Sequence, residues 1–432
     1  MKTLEELCGI GKLMSVPQRV LHSHGDPKFP TFSSMLGDLN AITLLSGNNF
    51  GKKMEVTGAG GDVDDEMART KCIAETLERY CSCVYDERQF ILASPLELGN
   101  EALDLQNIPM CSELELEHPR CPIRRPPLYN EKIRWVRGVS LTTNRLVWIP
   151  SIMVYLFIPY QSDAERFWLP ISTGCASHVS YEKALINGIL EVIERDAIAL
   201  TWLHQLPLPK LQFNGNITEE VHRYSQKNEQ FFYANNYYFN ATTDLGIPTI
   251  YAVQRTKHNK QLANMVMCTT ELNPEIALTK IMREGASCRA ALQNNQPPAK
   301  EVDEFINVID GATYMGLPEN SQAFDFLVES VEMQEYSSMK NLETGSDKLD
   351  LQFLIKHLES LGHEIFAVDL STDESERAGM KAVRVIIPTL QPLSFSHRAR
   401  FLGTNRLYKA VEKMGYGLRT EAQITTYPQP FA

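Results

Sequence analysis

Two short segments of this chain combine charged residues with apolar, helix-patterned surroundings. KCIAETLERYC carries Glu75, Glu78 and Arg79, and NGILEVIERDA carries Glu191, Glu194 and Arg195. Both read E-x-x-E-R. Residues three and four apart share one helix face, so each copy sets two carboxylates and a guanidinium along a single stripe. Like charges at that spacing destabilise an isolated helix. Burying them is costly unless something compensates. A divalent cation compensates carboxylates and a phosphate compensates arginines. Two such helices facing each other would hold Mg2+ and a nucleoside triphosphate. One copy alone is usually a solvated helix face. Two copies, crowded by Ile73, Leu77 and Tyr80 in one and by Ile189, Leu190, Val192 and Ile193 in the other, argue for a built site.

Other residues invite chemistry less strongly. Glu284 and Arg289 in LTKIMREGASCRAAL gain interest only in the company of the two motifs. GNNFGKK (47–53) is no P-loop, because three residues rather than four separate its glycines and Lys53 stands where Ser or Thr is required. His397, beside Arg398 and Arg400, reads as a loop histidine. The nine cysteines fit reduced, mostly buried thiols, and Cys81 and Cys83 have no second pair at zinc-ligand spacing. Cys72 reads as a small core residue. Pro428 and Pro430 stiffen the tail ITTYPQPFA, which could hold a terminal carboxylate at a fixed place.

The elements that must position these groups follow from the pattern. At 432 residues, 43% hydrophobic and 22% charged, the chain is globular and large enough for two halves. A net charge of −11 with no basic cluster argues against nucleic acid as the main partner. The N-terminus lacks a signal-peptide core, and the apolar run from Val147 to Tyr160 is broken by Pro150 and Pro159. That run reads as a buried strand or two, so a cytoplasmic protein with no membrane span is expected. TGAGGD (57–62) reads as a tight turn before a helix over about 64–88. A proline-rich excursion (97–130) and a hairpin with its continuation (135–156) follow. A second module repeats the order: a glycine-containing turn (172–177), then a helix from Ser180, its N-cap, to His204. Strands are expected at 231–239, 247–255, 364–370 and 382–388, and helices at 274–293 and 353–362. The expected organisation is an N-terminal segment (1–60) and a catalytic domain (61–432). That domain has halves of about 61–164 and 165–392 and a proline-rich tail (424–432). The class is α+β, with mixed strands and helices and an internally repeated turn-plus-acidic-helix unit.

On these motifs the chain resembles the YcaO family over about residues 55–432, and within it the SagD-like cyclodehydratases of thiazole/oxazole peptide maturation. The likeness rests on Ala68 through Glu75, Glu78 and Arg79 in the first helix, and on Ser180 through Glu191, Glu194, Arg195 and Asp196 in the second. It extends to the turn Ser172–Ser177 and to the late stretches around Pro388, Gln391 and Pro392 and around Gly403 and Arg406. The resemblance implies a YcaO-like fold and an ATP- and Mg2+-dependent enzyme. A Cys, Ser or Thr side chain of a ribosomally made precursor peptide attacks the preceding amide, whose oxygen is phosphorylated and leaves, giving a thiazoline or oxazoline. It further implies that Glu75, Glu78, Glu191 and Glu194 bind Mg2+, that Arg79, Arg195, Arg289 and Glu284 complete the nucleotide site with Glu191, and that Arg195 and the terminal carboxylate of Ala432 act in the reaction. A separate E1-like protein presenting the leader peptide is the expected partner, with a flavin dehydrogenase and a homodimer as further associations. The chain departs from the family pattern at Cys72, at Gly58-Ala59-Gly60, at Lys183 with Glu182 and at the Phe431-Ala432 ending. Thioamide or amidine formation, and a non-catalytic accessory role, are the competing expectations.

Overall fold

The computed structural model describes residues 2–39, 56–213, 217–229, 233–298 and 300–432. The GNNFGKK segment and the start of the expected 231–239 strand lie outside the described residues. The described chain is mixed α+β. Strands β1 (Gln18–Arg19), β2 (Thr31–Met35) and β3 (Thr57–Gly61) make an antiparallel three-stranded sheet. A second sheet runs β4 (Ile91–Ala93), β5 (Ile133–Ser140), β13 (Phe366–Asp369), β14 (Lys381–Ile386), β7 (Cys175–His178), with β6 (Leu146–Pro150) added to β5. The third has the order β11 (Asn264–Thr270), β10 (Thr249–Thr256), β9 (Ala234–Asn240), β8 (Lys210–Gln212), β12 (Met333–Glu335).

Five helices matter for the site: α1 (Asp65–Cys83), α2 (Tyr181–His204), α3 (Pro274–Gln293), α4 (Asp347–Ser360) and α5 (Asn405–Lys413). Local chemistry sets their starts. The Asp64 carboxylate accepts from the Met67 amide at 2.9 Å, Ser180 accepts from the Lys183 amide at 3.3 Å, and Asn273 accepts from the Glu275 amide ahead of Pro274. α2 stops where Gln205 turns left-handed (φ 48°) before Pro207 and Pro209.

α1 lies on β3 and β2, α3 on β11 and β10, and α2 contacts β14 and β7 of one sheet and β11 of another. The second acidic helix is therefore the element between the sheets. It is almost wholly buried from Ile186 onward, which accounts for its apolar composition.

TGAGGD is not a turn. Residues 57–61 form β3, paired through Phe32 with Gly60 and Ser34 with Gly58. The glycines are there for close approach: a Cβ on Gly60 would lie 2.2 Å from the Cys72 amide nitrogen, and one on Gly58 would lie 2.4 Å from Thr76 Oγ1. The continuation of the 135–156 hairpin is also corrected. Ser151–Val154 is one buried helical turn after β6 rather than a further strand. Leu4, Met14, Leu36 and Leu39 of the N-terminal segment share one cluster with Leu77, Trp135 and Phe366.

Candidate active site

Each motif glutamate is fixed by one backbone amide, and the four contacts follow a single scheme. Glu75 Oε2 accepts from Ala59 N at 3.0 Å, in the strand that leads into its own helix. Glu191 Oε2 accepts from Gly174 N at 2.8 Å, at the end of a turn shorter than expected, since residues 175–177 already belong to β7, the strand that leads into its own helix. The second glutamate of each pair reaches a different sheet: Glu78 Oε2 to Ser177 N at 3.1 Å on β7, and Glu194 Oε2 to Thr270 N at 3.1 Å on β11. Arg79 pairs with Glu75 and Arg195 with Glu191, each at 3.3 Å and one turn apart. Gly174 (φ 84°) leaves no room for a Cβ, which would meet the Val385 carbonyl at 2.2 Å, so the turn that delivers the Glu191 contact requires glycine.

The two motifs share one electrostatic environment. Burial pushes the Glu78 carboxyl up to about 8; Arg79 opposes this, while Glu191 and Glu75 add to it. Burial likewise lifts Glu194, which is 6% exposed, to about 7 against Lys280 and Arg195, with Glu284 and Glu191 adding to the rise. Burial works against the Arg79 charge too, yet Glu75, Glu78 and Glu191 together hold its pKa above the ordinary value. The Glu191 charge adds to the rise of Glu78 on α1 and of Glu194 on its own helix.

α3 supplies the third wall. Glu284 joins the cluster, ion-paired to Arg283 at 3.3 Å. Lys280, one turn before it, bonds Glu271 at 2.9 Å, and its charge is reinforced, against burial, by Glu271, Glu284 and Glu194. Neither Lys280 nor Arg283 was singled out by sequence pattern. The Lys280–Glu284 spacing of four was the available signal. Arg289 requires a correction. It is 2% exposed, ion-paired to Asp26 at 3.1 Å and bonded to Gln254 Oε1 at 2.8 Å. Five residues from Glu284 is about 140° around the helix, which turns Arg289 away from the acidic face into a structural pair.

The tail reaches the same region. The Phe431 ring packs over the Arg195 guanidinium, 4.8 Å from centroid to Cζ, and Ala432 packs on the cluster that contains Met282 and Ala286 of α3. His397 is a buried loop residue, pushed down to about 4 by burial and then by Arg400 and Arg398. Cys72 is buried, its thiol raised to about 12 by burial.

Among the described residues no three His, Cys, Asp or Glu side chains form a preorganised metal cage. Mg2+ does not need one, because it binds through one or two carboxylates and keeps waters and substrate phosphates. The donor set fits it: hard oxygens from Glu75, Glu78, Glu191 and Glu194, two of them raised by burial in a way that a bound cation would relieve. Arg195 Nε is buried with no hydrogen-bond partner among the described residues, which suits an anionic oxygen on the same face. The chemistry of these side chains, on three helices, fits a metal and a phosphate.

Comparison with known proteins gives that chemistry a family. Residues 59–391 match the family described as YcaO cyclodehydratase, ATP- and Mg2+-binding. The chain belongs to this family, whose cofactors are ATP and Mg2+. An uncharacterised protein of Methanothermobacter thermautotrophicus is 26% identical over 343 residues, 78% of this chain and 82% of its own. A heterocyclase solved in complex with substrate and cofactor superposes with a TM-score of 0.81 at 20% identity over 100% of this chain. This chain spans 56% of that heterocyclase's length. The E. coli microcin synthetase McbBCD complex with pro-MccB17 bound contains a chain similar at a TM-score of 0.62 and 14% identity, covering 97% of this chain and 96% of that one. Among the described residues no helix is long and apolar enough to cross a membrane.

Proposed function

We propose that this protein catalyses ATP- and Mg2+-dependent cyclodehydration of Cys, Ser or Thr residues in a ribosomally made precursor peptide. The observation that carries the reading is that Glu191 of α2 and Glu78 of α1 are held by amides three residues apart, Gly174 N and Ser177 N, with Arg195 ion-paired to Glu191. Bound ATP supplies the phosphoryl group that converts the amide oxygen into a leaving group. Positioning and charge neutralisation are what phosphoryl transfer chiefly needs from a protein. Glu75, Glu78, Glu191 and Glu194 would hold the cation, Glu284 and Lys280 would complete the wall around it, and Arg79 and Arg195 would neutralise the transferred group. The peptide's thiol or hydroxyl adds to the preceding carbonyl carbon and loses its proton. With ATP bound, the oxygen would depart as phosphate while the amide nitrogen gives up its proton to form the C=N bond, so that the peptide loses one oxygen and two hydrogens and ATP ends as ADP and phosphate. The Ala432 carboxylate, carried by the tail that stacks Phe431 on Arg195, serves as the base for the proton of the thiol or hydroxyl.

The matching contact schemes of the two acidic helices support an internally repeated architecture. The McbBCD assembly supports action in a complex, here with an E1-like partner presenting the leader.

Mass spectrometry of a Cys/Ser-rich candidate peptide incubated with protein, partner and Mg·ATP tests the proposal. The expected result is a loss of water for each ring. Glu191→Gln and Glu194→Gln should each lower the rate at least about a hundredfold. Wild-type activity in both variants would defeat the metal–phosphate reading. Full ring formation after removal of Phe431 and Ala432 would instead remove the Ala432 carboxylate from the mechanism.

A further inference from the structure

A buried arginine outside the two motifs is left without a counter-charge. Arg384 lies on β14 and is 3% exposed. Its Nη1 donates to the Ile171 carbonyl at 2.6 Å and to Cys175 Sγ at 3.1 Å. Its Nε and Nη2 have no hydrogen-bond partner among the described residues. Nor does any carboxylate of the described residues lie within ion-pair distance of it. A guanidinium keeps its charge in a protein, and a buried charge is costly unless one of opposite sign meets it.

Arg384 and Arg195 line the same cavity, of about 40 Å3. Trp168, Thr173 and Gln391 complete its polar lining, the other walls are apolar, and none of the lining residues is Asp or Glu. The volume takes roughly three or four water-sized atoms. The cavity adjoins the acidic site. Thr173 precedes Gly174, whose amide holds Glu191, and Arg195 pairs with that same Glu191 through Nη2.

Two further lining residues carry unused polar atoms. Trp168 Nε1 is a buried donor and Gln391 Oε1 a buried acceptor, both without partners among the described residues. The Gln391 orientation is fixed, because its Nε2 donates to the Arg400 and Phe401 carbonyls at 3.2 and 3.3 Å. Water would meet these hydrogen bonds but would leave two guanidiniums sharing the single carboxylate of Glu191. An oxyanion neutralises them, and planar guanidinium forks suit its oxygens. The Gln391 acceptor narrows the choice to an oxyanion that also carries a hydroxyl. Inorganic phosphate keeps a P–OH near neutral pH, whereas sulfate and ionised carboxylates have none. We propose that this cavity binds inorganic phosphate, with Arg384 as its principal ligand, and takes up the phosphate that each ring closure releases beside Arg195. The source of the phosphate rests on the proposed function; the anion chemistry rests on the cavity alone.

Calorimetric titration of the ligand-free full chain with inorganic phosphate at constant ionic strength tests the cavity, with sulfate and acetate as comparisons. Phosphate should bind the wild type, and sulfate and acetate should each bind at least about tenfold more weakly. Arg384→Gln should weaken phosphate binding at least about tenfold while holding AMPPCP affinity within about twofold of wild type. In proton–nitrogen correlation spectra the Trp168 indole resonance, assigned with Trp168→Phe, should shift on adding phosphate and stay in place with sulfate. That readout uses the wild type, so it decides the matter even if Arg384→Gln misfolds. With a peptide that undergoes dehydration, added phosphate should inhibit ring formation by the wild type, and about tenfold more weakly by Arg384→Gln. Equal phosphate binding by wild type and folded Arg384→Gln, or an unmoved indole resonance at saturating phosphate, overturns the proposal and leaves the cavity to water. Acetate or sulfate binding as tight as that of phosphate overturns it in favour of an anion site without the hydroxyl preference. A loss of AMPPCP affinity as large as the loss of phosphate affinity overturns it by making the cavity part of the nucleotide site. If no peptide is ever dehydrated, the proposed function fails while the titration and the indole spectra still decide the cavity.

Discussion

Glu78 and Glu194 are the residues whose chemistry departs furthest from that of a surface carboxylate. Burial raises both, to about 8 and about 7, so cation binding near neutrality is coupled to proton release. Magnesium affinity in the presence of AMPPCP should therefore rise between pH 6.5 and 8. Calorimetry in buffers of different ionisation enthalpy should show proton release that shrinks toward pH 8. Stability should move the other way. A carboxyl raised in the folded state favours folding below its unfolded value and loses that contribution as pH climbs through its folded value. The ligand-free wild type should thus lose Tm relative to a Glu78→Gln/Glu194→Gln variant from pH 6.5 to 8, as scanning calorimetry would show. The same difference taken between variants removes the opposing share of Cys121, whose thiol is lowered to about 7, chiefly by its hydrogen bond with Cys111. His204 and His397, both near 4, are already neutral in that window. The four glutamates were legible because E-x-x-E-R is a local pattern whose charges conflict with its apolar setting. Arg289 was misplaced because its partner, Asp26, is a tertiary contact from far earlier in the chain. No spacing rule reveals that pairing.

At the scale of elements, the helices were legible and the first glycine segment was not. α2 and α3 begin and end where side-chain caps and prolines dictate, and those signals are read within a few residues. In TGAGG the glycines signalled a turn, yet their purpose is to let β3 lie against α1. Gly and turn are associated only where φ is positive; close approach leaves the same residue type with no local trace. The tail poses the same problem at Gly311. A Cβ there would lie 2.0 Å from the Gln429 carbonyl oxygen, so the helix Val308–Met315 is shaped to receive the tail backbone. Gly311→Ala should displace the tail by steric conflict while leaving α1, α2 and α3 in place. The expected outcome is AMPPCP affinity within about twofold of wild type and ring formation reduced at least about tenfold. Equilibrium binding and single-turnover mass spectrometry measure the two separately. Equal losses in both would show that the substitution had instead disturbed the nucleotide site.

Across the whole molecule, the acidic site depends on how firmly α2 is indexed to the segments that follow it. The residue after the second motif, Asp196, is fully buried. Its carboxylate accepts from the Gln391 amide at 2.8 Å and from Arg406 Nε and Nη2 at 3.0 and 2.8 Å. Arg406, on α5, also reaches Asp244 at 2.7 Å. One guanidinium thereby ties the acidic helix to the loop before β10 and to the helix that precedes the tail. A buried pair of this kind gains little over an apolar substitute, but removing one partner strands the other's charge. Arg406→Ala should therefore destabilise the protein by about 3–5 kcal/mol, read as a fall in denaturant midpoint. An Asp196→Leu/Arg406→Leu double variant should recover a large part of that loss. Indexing makes a prediction that simple weakening does not. If the tie sets the tail against α2, the double variant will be folded and will bind AMPPCP, yet will close rings slowly, because Phe431 no longer arrives over Arg195 at a fixed angle. A stable double variant with wild-type ring formation would show that the tie serves stability alone.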